Sequence, residues 1–249
     1  PEKDEFATSR DLNTLDEAIK GADVFIGLSK SDIVSPKMLL TMAKNPIVFA
    51  MANPDPEIGY DIACKTRDDI IMATGRSDNP NQVNNVLGFP FIFRGALDVR
   101  ATTINEAMKM AAVKALADLA KESVPEQVNL VYDQTRLSFG KEYIIPKPFD
   151  TRLITEVPPA VAKAAMESGV AKEPIIDWNE YKDQLAERLG TGSKLMRMLT
   201  SKAKANPKTI VFAEADHLDV LKAAQIVYDE GIGKPILLGN KDIIKELMS

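Results

Sequence analysis

Apolar residues in the first third of the chain fall in short continuous runs: Val24-Phe25-Ile26, Ile47 to Ala52 and Ile70-Ile71-Met72-Ala73. The stretches between them have helical spacing. Thr14-Leu15-Asp16-Glu17 fits a capping box, followed by Ala18 and Ile19 and a stop at Gly21. Ser35-Pro36 opens a second helix with Met38, Leu39, Met42 and Ala43 on its apolar face, and Asn45-Pro46 breaks it. A short helix is expected around Ile58 to Cys64. Continuous apolar runs without alternation fit parallel strands buried on both faces. The pattern predicts the α/β class, with a partial doubly wound parallel sheet. Ligands of such sheets bind at the carboxyl ends of the strands. Those ends are Gly27-Leu28-Ser29, Asn53-Pro54 and Thr74-Gly75-Arg76.

Beyond residue 76 the pattern changes. Ser77 to Asn85 is polar, with four asparagines in seven residues (Asn79, Asn81, Asn84, Asn85), and abuts the aromatic-rich run Val86 to Arg94. Thr103-Ile104-Asn105-Glu106 reads as a second capping box, opening a helix through about Lys121 with Ile104, Met108, Ala111, Ala115 and Leu119 on one side. Val157 to Ser168 is predicted helical, opened by Pro158-Pro159 and closed by Gly169. Residues 171–206 read as a connector. Strand, helix, strand and helix are then expected at Thr209–Ala213, Leu218–Tyr228, Pro235–Gly239 and Asp242–Met248. Two strands are too few for an independent sheet, so 207–249 reads as the start of a second α/β domain.

The 249 residues are 45% hydrophobic and 27% charged, enough for one large or two modest domains. A net charge of -5 argues against a nucleic-acid surface. No run of about 18 apolar residues suggests a membrane span, and Pro1 to Glu5 lacks an apolar signal core. The chain starts without Met, which reads as truncation or processing. One cysteine, Cys64, and one histidine, His217, leave no internal disulfide and no Cys/His zinc site, which fits a reducing cytoplasm.

On residue chemistry alone the candidates have two readings each. Asn53 before Pro is a turn residue or a ligand contact. Asn84-Asn85 is a helix cap before Val86 or a ligand contact. Arg76 and Arg94 suit an anion or a structural ion pair. Asp55, Glu57 and Asp68-Asp69 suggest a cation site, although an acid near a helix start needs no metal. The Met-rich helix 103–121 reads as core or subunit contact. His217 reads as a cap or solvated residue, and Cys64 as a small buried apolar one.

Met51-Ala52-Asn53-Pro54-Asp55-Pro56-Glu57, Thr74-Gly75-Arg76-Ser77-Asp78 and Asn81-Gln82-Val83-Asn84-Asn85 resemble malic enzymes in order and spacing. So do Phe89 to Asp98, Tyr143 to Asp150 and Pro159 to Ala165. The resemblance is to the bacterial type fused to a phosphotransacetylase-like domain and covers essentially the whole chain. Asn79 departs from it, since the family usually carries Tyr there. The resemblance implies a Rossmann-like fold. Residues 1–170 would be the C-terminal part of the NAD(P)-binding domain with following helices, 171–206 the connector, and 207–249 the beginning of the phosphotransacetylase-like domain. It further implies oxidation of malate with NADP, or NAD, and a divalent cation (Mg or Mn), then decarboxylation to pyruvate. Asn53 and Asn85, perhaps joined by Asn84, would contact cofactor and substrate, with Gly27 and Leu28 against the cofactor. Asn offers a donor and an acceptor without adding charge beside an anionic substrate.

The family's catalytic Tyr and Lys, metal carboxylates and Gly-rich phosphate loop would lie upstream, and no G-x-G-x-x-G occurs here. The isolated chain is therefore expected to be inactive. A homo-oligomer is expected, with acetyl-CoA as a regulator. The alternative reading is a regulatory or assembly module that binds acetyl-CoA through the phosphotransacetylase-like part.

Overall fold

The computed structural model describes residues 7–132, 137–189 and 194–248. It divides into two units, one up to Ile176 and one from Asp177 onward.

The first unit begins with α1 (Leu15–Ile19), β1 (Val24–Gly27), α2 (Pro36–Thr41), β2 (Ile47–Ala50), α3 (Tyr60–Thr66) and β3 (Ile71–Thr74). Both expected caps form. Thr14 and Glu17 make the reciprocal capping box of α1, and Ser35 accepts from Met38 N–H ahead of Pro36. The strands run parallel in the order β1-β2-β3, with Gly27, Ala50 and Thr74 in register at their carboxyl ends.

Alternation along the strands assigns the faces. Val48, Ala50 and Met72 point to the side that packs with Ile19, Leu39 and Ala63 of the three helices. On the opposite side of β1, Val24 and Ile26 are 48% and 60% exposed. The expectation that every strand is buried on both faces therefore fails for β1. Among the described residues, α1, α2 and α3 contribute to one core on one face only.

Arg67 fastens the helical layer to the start of β3. It pairs with Asp69 through Nε and Nη2 at 2.8 and 2.7 Å, and donates to the carbonyls of Leu39, Met42 and Ala43 at the end of α2. Asp69 also accepts from Asn45 N–H at 2.8 Å.

After a 3-10 turn at Asn85–Leu87 come α4 (Phe89–Asp98), α5 (Glu106–Leu119), α6 (Glu126–Val131) and α7 (Leu153–Glu167). Two sequence expectations are corrected here. The cap of α5 is Asn105, whose side chain accepts from Met108 N–H, so Thr103 is outside the helix. Its buried face is Met108, Ala112 and Leu119, near the expected helical spacing. α7 starts at Leu153, which puts Pro158 and Pro159 inside it, both buried. Their missing N–H groups forfeit two helical bonds, and the packing of Leu153, Val157, Val161 and Ala165 holds the helix together across them. α4 crosses α7 very closely. A β-carbon on Gly95 would stand 2.5 Å from the Pro158 carbonyl oxygen and 2.8 Å from Cβ of Val161.

The second unit contains α8 (Trp178–Glu187), α9 (Lys194–Ala205), β4 (Lys208–Phe212), α10 (Leu218–Asp229), β5 (Gly233–Leu237) and α11 (Lys241–Met248). Asp177 caps α8 by accepting from the N–H groups of Asn179 and Glu180. β4 and β5 pair in parallel, leaving Val211 and Ile236 60% and 51% exposed. No described helix is long and apolar enough to cross a membrane.

Candidate functional site

The carboxyl ends of the three strands are built by two loops. The β1–α2 loop and the β2–α3 loop are joined through Glu57, which is 0% exposed. Its carboxylate accepts from Ser29 N–H at 3.1 Å and Ala52 N–H at 3.0 Å, and its carbonyl accepts from Val34 N–H at 3.0 Å. The carboxylate lies directly over Gly27, where a β-carbon would fall 2.3 Å from Cδ of Glu57. A side chain at position 27 would collide with this buried acid, a constraint its sequence context did not reveal. Leu28, the next residue, is 75% exposed.

Asn53 follows Ala52 on the same loop. Its side chain is exposed and has no hydrogen bond within the described residues, and the Asn53-Pro54 peptide is cis.

After β3 the chain turns back along the sheet. Thr74 N–H donates to the Asn81 carbonyl at 3.0 Å, Val83 N–H donates to the Thr74 carbonyl at 2.8 Å, and Thr74 bridges Gln82 in the parallel sense. Because that pairing is parallel, the chain leaving Gln82 continues past the carboxyl end of the sheet. Asn84 and Asn85 therefore emerge at the same end as Leu28 and Asn53.

The four clustered asparagines have four different jobs. Asn79 donates to Thr74 Oγ1 at 2.7 Å, so the residue that departs from the family pattern has its own partner at a strand tip. Asn81 is 0% exposed: its amide donates to the carbonyls of Met72 (2.9 Å) and Lys141 (2.6 Å), and its oxygen accepts from Ile144 N–H (3.0 Å). Asn84 caps the 3-10 turn, accepting from Val86 N–H at 3.0 Å. The Asn85 side chain is exposed and has no hydrogen bond within the described residues. Sequence reasoning missed Glu57 and Asn81 as the scaffold of this edge. The density of asparagines was a signal for Asn81, and nothing in the composition marked Glu57.

The charged candidates have partners. Arg76 forks onto Asp78 at 2.9 and 2.7 Å and stands 3.8 Å from Asp55, which leaves little of its charge for an anion. Arg94 pairs with Asp98 one turn along α4. Asp69 is engaged by Arg67, and Glu57 by backbone N–H groups. Among the described residues no group of three or more His, Cys, Asp or Glu side chains could hold a metal, so the residues here do not fit a cation site. His217 precedes α10 without a side-chain capping bond. Cys64 is half-buried, and that burial pushes its thiol pKa up.

What this edge can do is bind and orient: exposed neutral amides at aligned strand tips, held by a buried scaffold. The comparisons with known proteins address the family of the chain. Residues 194–248 match the phosphate acetyl/butaryl transferase family. An NADP-dependent malic enzyme of Rhizobium meliloti is 51% identical over 244 residues, covering 98% of this chain and 32% of that protein. An NAD-dependent malic enzyme of the same organism is 48% identical, covering 96% and 31%. The crystal structure of malic enzyme from Pyrococcus horikoshii superposes with a TM-score of 0.58 at 38% identity, over 73% of this chain and 39% of that one. The chain thus spans about a third of the length of the curated relatives it matches. Residues 1–137, more than half of the chain, match the malic enzyme NAD binding domain, and the chain belongs to the malic enzyme family.

Proposed function

We propose that this chain is part of an NADP-dependent malic enzyme that converts malate to pyruvate and CO2 by oxidative decarboxylation. One observation carries the reading: two exposed amides without partners among the described residues, Asn53 and Asn85, stand at the carboxyl end of a parallel sheet in a malic enzyme NAD binding domain. Their role is positioning. Each offers a donor and an acceptor to malate or to the nicotinamide carboxamide without adding charge. The dinucleotide, when bound, supplies the hydride acceptor, with the exposed Leu28 segment facing it. Asn84 gives its oxygen to the cap and contributes at most its amide nitrogen. NADP is preferred over NAD because relatives of both kinds occur and the 51%-identical one uses NADP. The divalent cation and the acid/base groups belong to parts of the enzyme outside this segment. A cytoplasmic location, a homo-oligomer and acetyl-CoA as a regulator acting through the phosphotransacetylase-like domain begun at residue 207 belong to the same reading.

The test is an assay of the full-length protein with malate, NADP and Mn, following NADPH and pyruvate together. Equimolar formation of both is expected, with the isolated 249-residue chain at blank level. A full-length protein that forms neither, or an isolated chain that forms both, contradicts the proposal.

A further inference from the structure

We propose that Glu57 is a positioning residue for the dinucleotide site, and that residue 27 is glycine to accommodate its carboxylate. The inference rests on the reading of this strand edge as that site. The buried carboxylate receives one N–H from each loop flanking the candidate residues: Ser29, next to Leu28, and Ala52, next to Asn53. The side chain places one acceptor oxygen on each N–H group. A carboxamide has one acceptor and would turn its NH2 toward the other N–H. The Glu57 side chain bridges the two loops right beside Leu28 and Asn53, adding to the backbone bonds from Asp32 N–H to the Pro56 carbonyl, Val34 N–H to the Glu57 carbonyl and Met51 N–H to the Gly27 carbonyl. Gly27 contributes only space, since any β-carbon there meets Cδ at 2.3 Å and Oε1 at 2.4 Å. A glycine at a strand tip of a nucleotide-binding sheet would otherwise be credited to close approach of the cofactor. The two explanations make opposite predictions in combination.

The experiment is a double-mutant cycle in the full-length protein: Gly27→Ala, Glu57→Ala and both together, with NADPH dissociation constants from fluorescence titration, malate KM and kcat, and melting temperatures. Each single change is expected to weaken NADPH about tenfold, and the double no more than the worse single. Glu57→Gln keeps the volume, loses one of the two bonds and should fall between wild type and Glu57→Ala; it decides the matter should the alanine variants not fold. Losses that multiply to about a hundredfold would return Gly27 to cofactor approach and overturn the inference. So would a Glu57→Ala or Glu57→Gln protein that melts lower yet binds NADPH as wild type, since that is a purely structural role. Non-additive NADPH losses across the cycle, with a wild type that does not turn over malate, would refute the malic enzyme reading alone. Turnover with multiplying losses would refute the positioning role alone.

Discussion

Asn81 and Asn85 are four residues apart in one polar stretch, yet the first is fully buried with three hydrogen bonds and the second is exposed with none among the described residues. The buried one ties the end of β3 to residues 141–144, and that anchorage lets the exposed one project past the sheet. A buried structural amide and an exposed one are thus neighbours in sequence and separable by mutation.

Asn81→Asp removes both donations and places a carboxylate against the carbonyls of Met72 and Lys141. We expect a loss of about 3 kcal/mol in the full-length protein, read as a lower denaturant midpoint. Unchanged stability would mean that the buried amide network contributes nothing.

Asn84→Ala deletes the cap of the 3-10 turn. The expected cost is about 0.5–1 kcal/mol, with Asn84→Ser recovering most of it. Malate turnover should suffer far less than in Asn85→Ala; equal kinetic losses would make Asn84 a ligand contact in its own right.

Gly95→Ala forces a methyl into the crossing of α4 and α7, against the Pro158 carbonyl. Overpacking should cost about 1–3 kcal/mol and appear in chemical denaturation. A neutral result would show that the two helices separate without penalty.

Acid sensitivity should trace in part to Asp69. The Arg67 guanidinium and the Asn45 N–H hold its carboxyl well below the usual carboxylate range. Its folded value is depressed, so its contribution is fully present above the unfolded value of about 3.9 and is lost as pH falls through the folded one. Asp69→Asn should flatten the decline of stability below about pH 4, measured by denaturation across pH. An unchanged acid limb would remove Asp69 from the account.

The strands and their order of appearance were legible because continuous apolar runs are a strong signal. The caps at Thr14 and Ser35 were equally plain. The start of α7 was not, since Pro158-Pro159 reads as a beginning when its partner surface, Gly95 on α4, is distant in sequence. α6 has only six residues and no side-chain cap to mark it. Asn53 and Asn85 were reachable through a family resemblance, while composition alone left each divided between turn, cap and ligand. Glu57 was beyond sequence reading: its role depends on two N–H groups 5 and 28 residues away that meet only in the folded sheet edge.

The most direct measurement is steady-state malate oxidation by Asn53→Ala and Asn85→Ala in the full-length protein, with melting temperatures alongside. Both side chains are exposed and unpartnered among the described residues, so melting should not move. Each loses a ligand hydrogen bond, so kcat/KM should fall by about tenfold or more. Catalysis within twofold of wild type in both variants would contradict the assignment of this strand edge as the site.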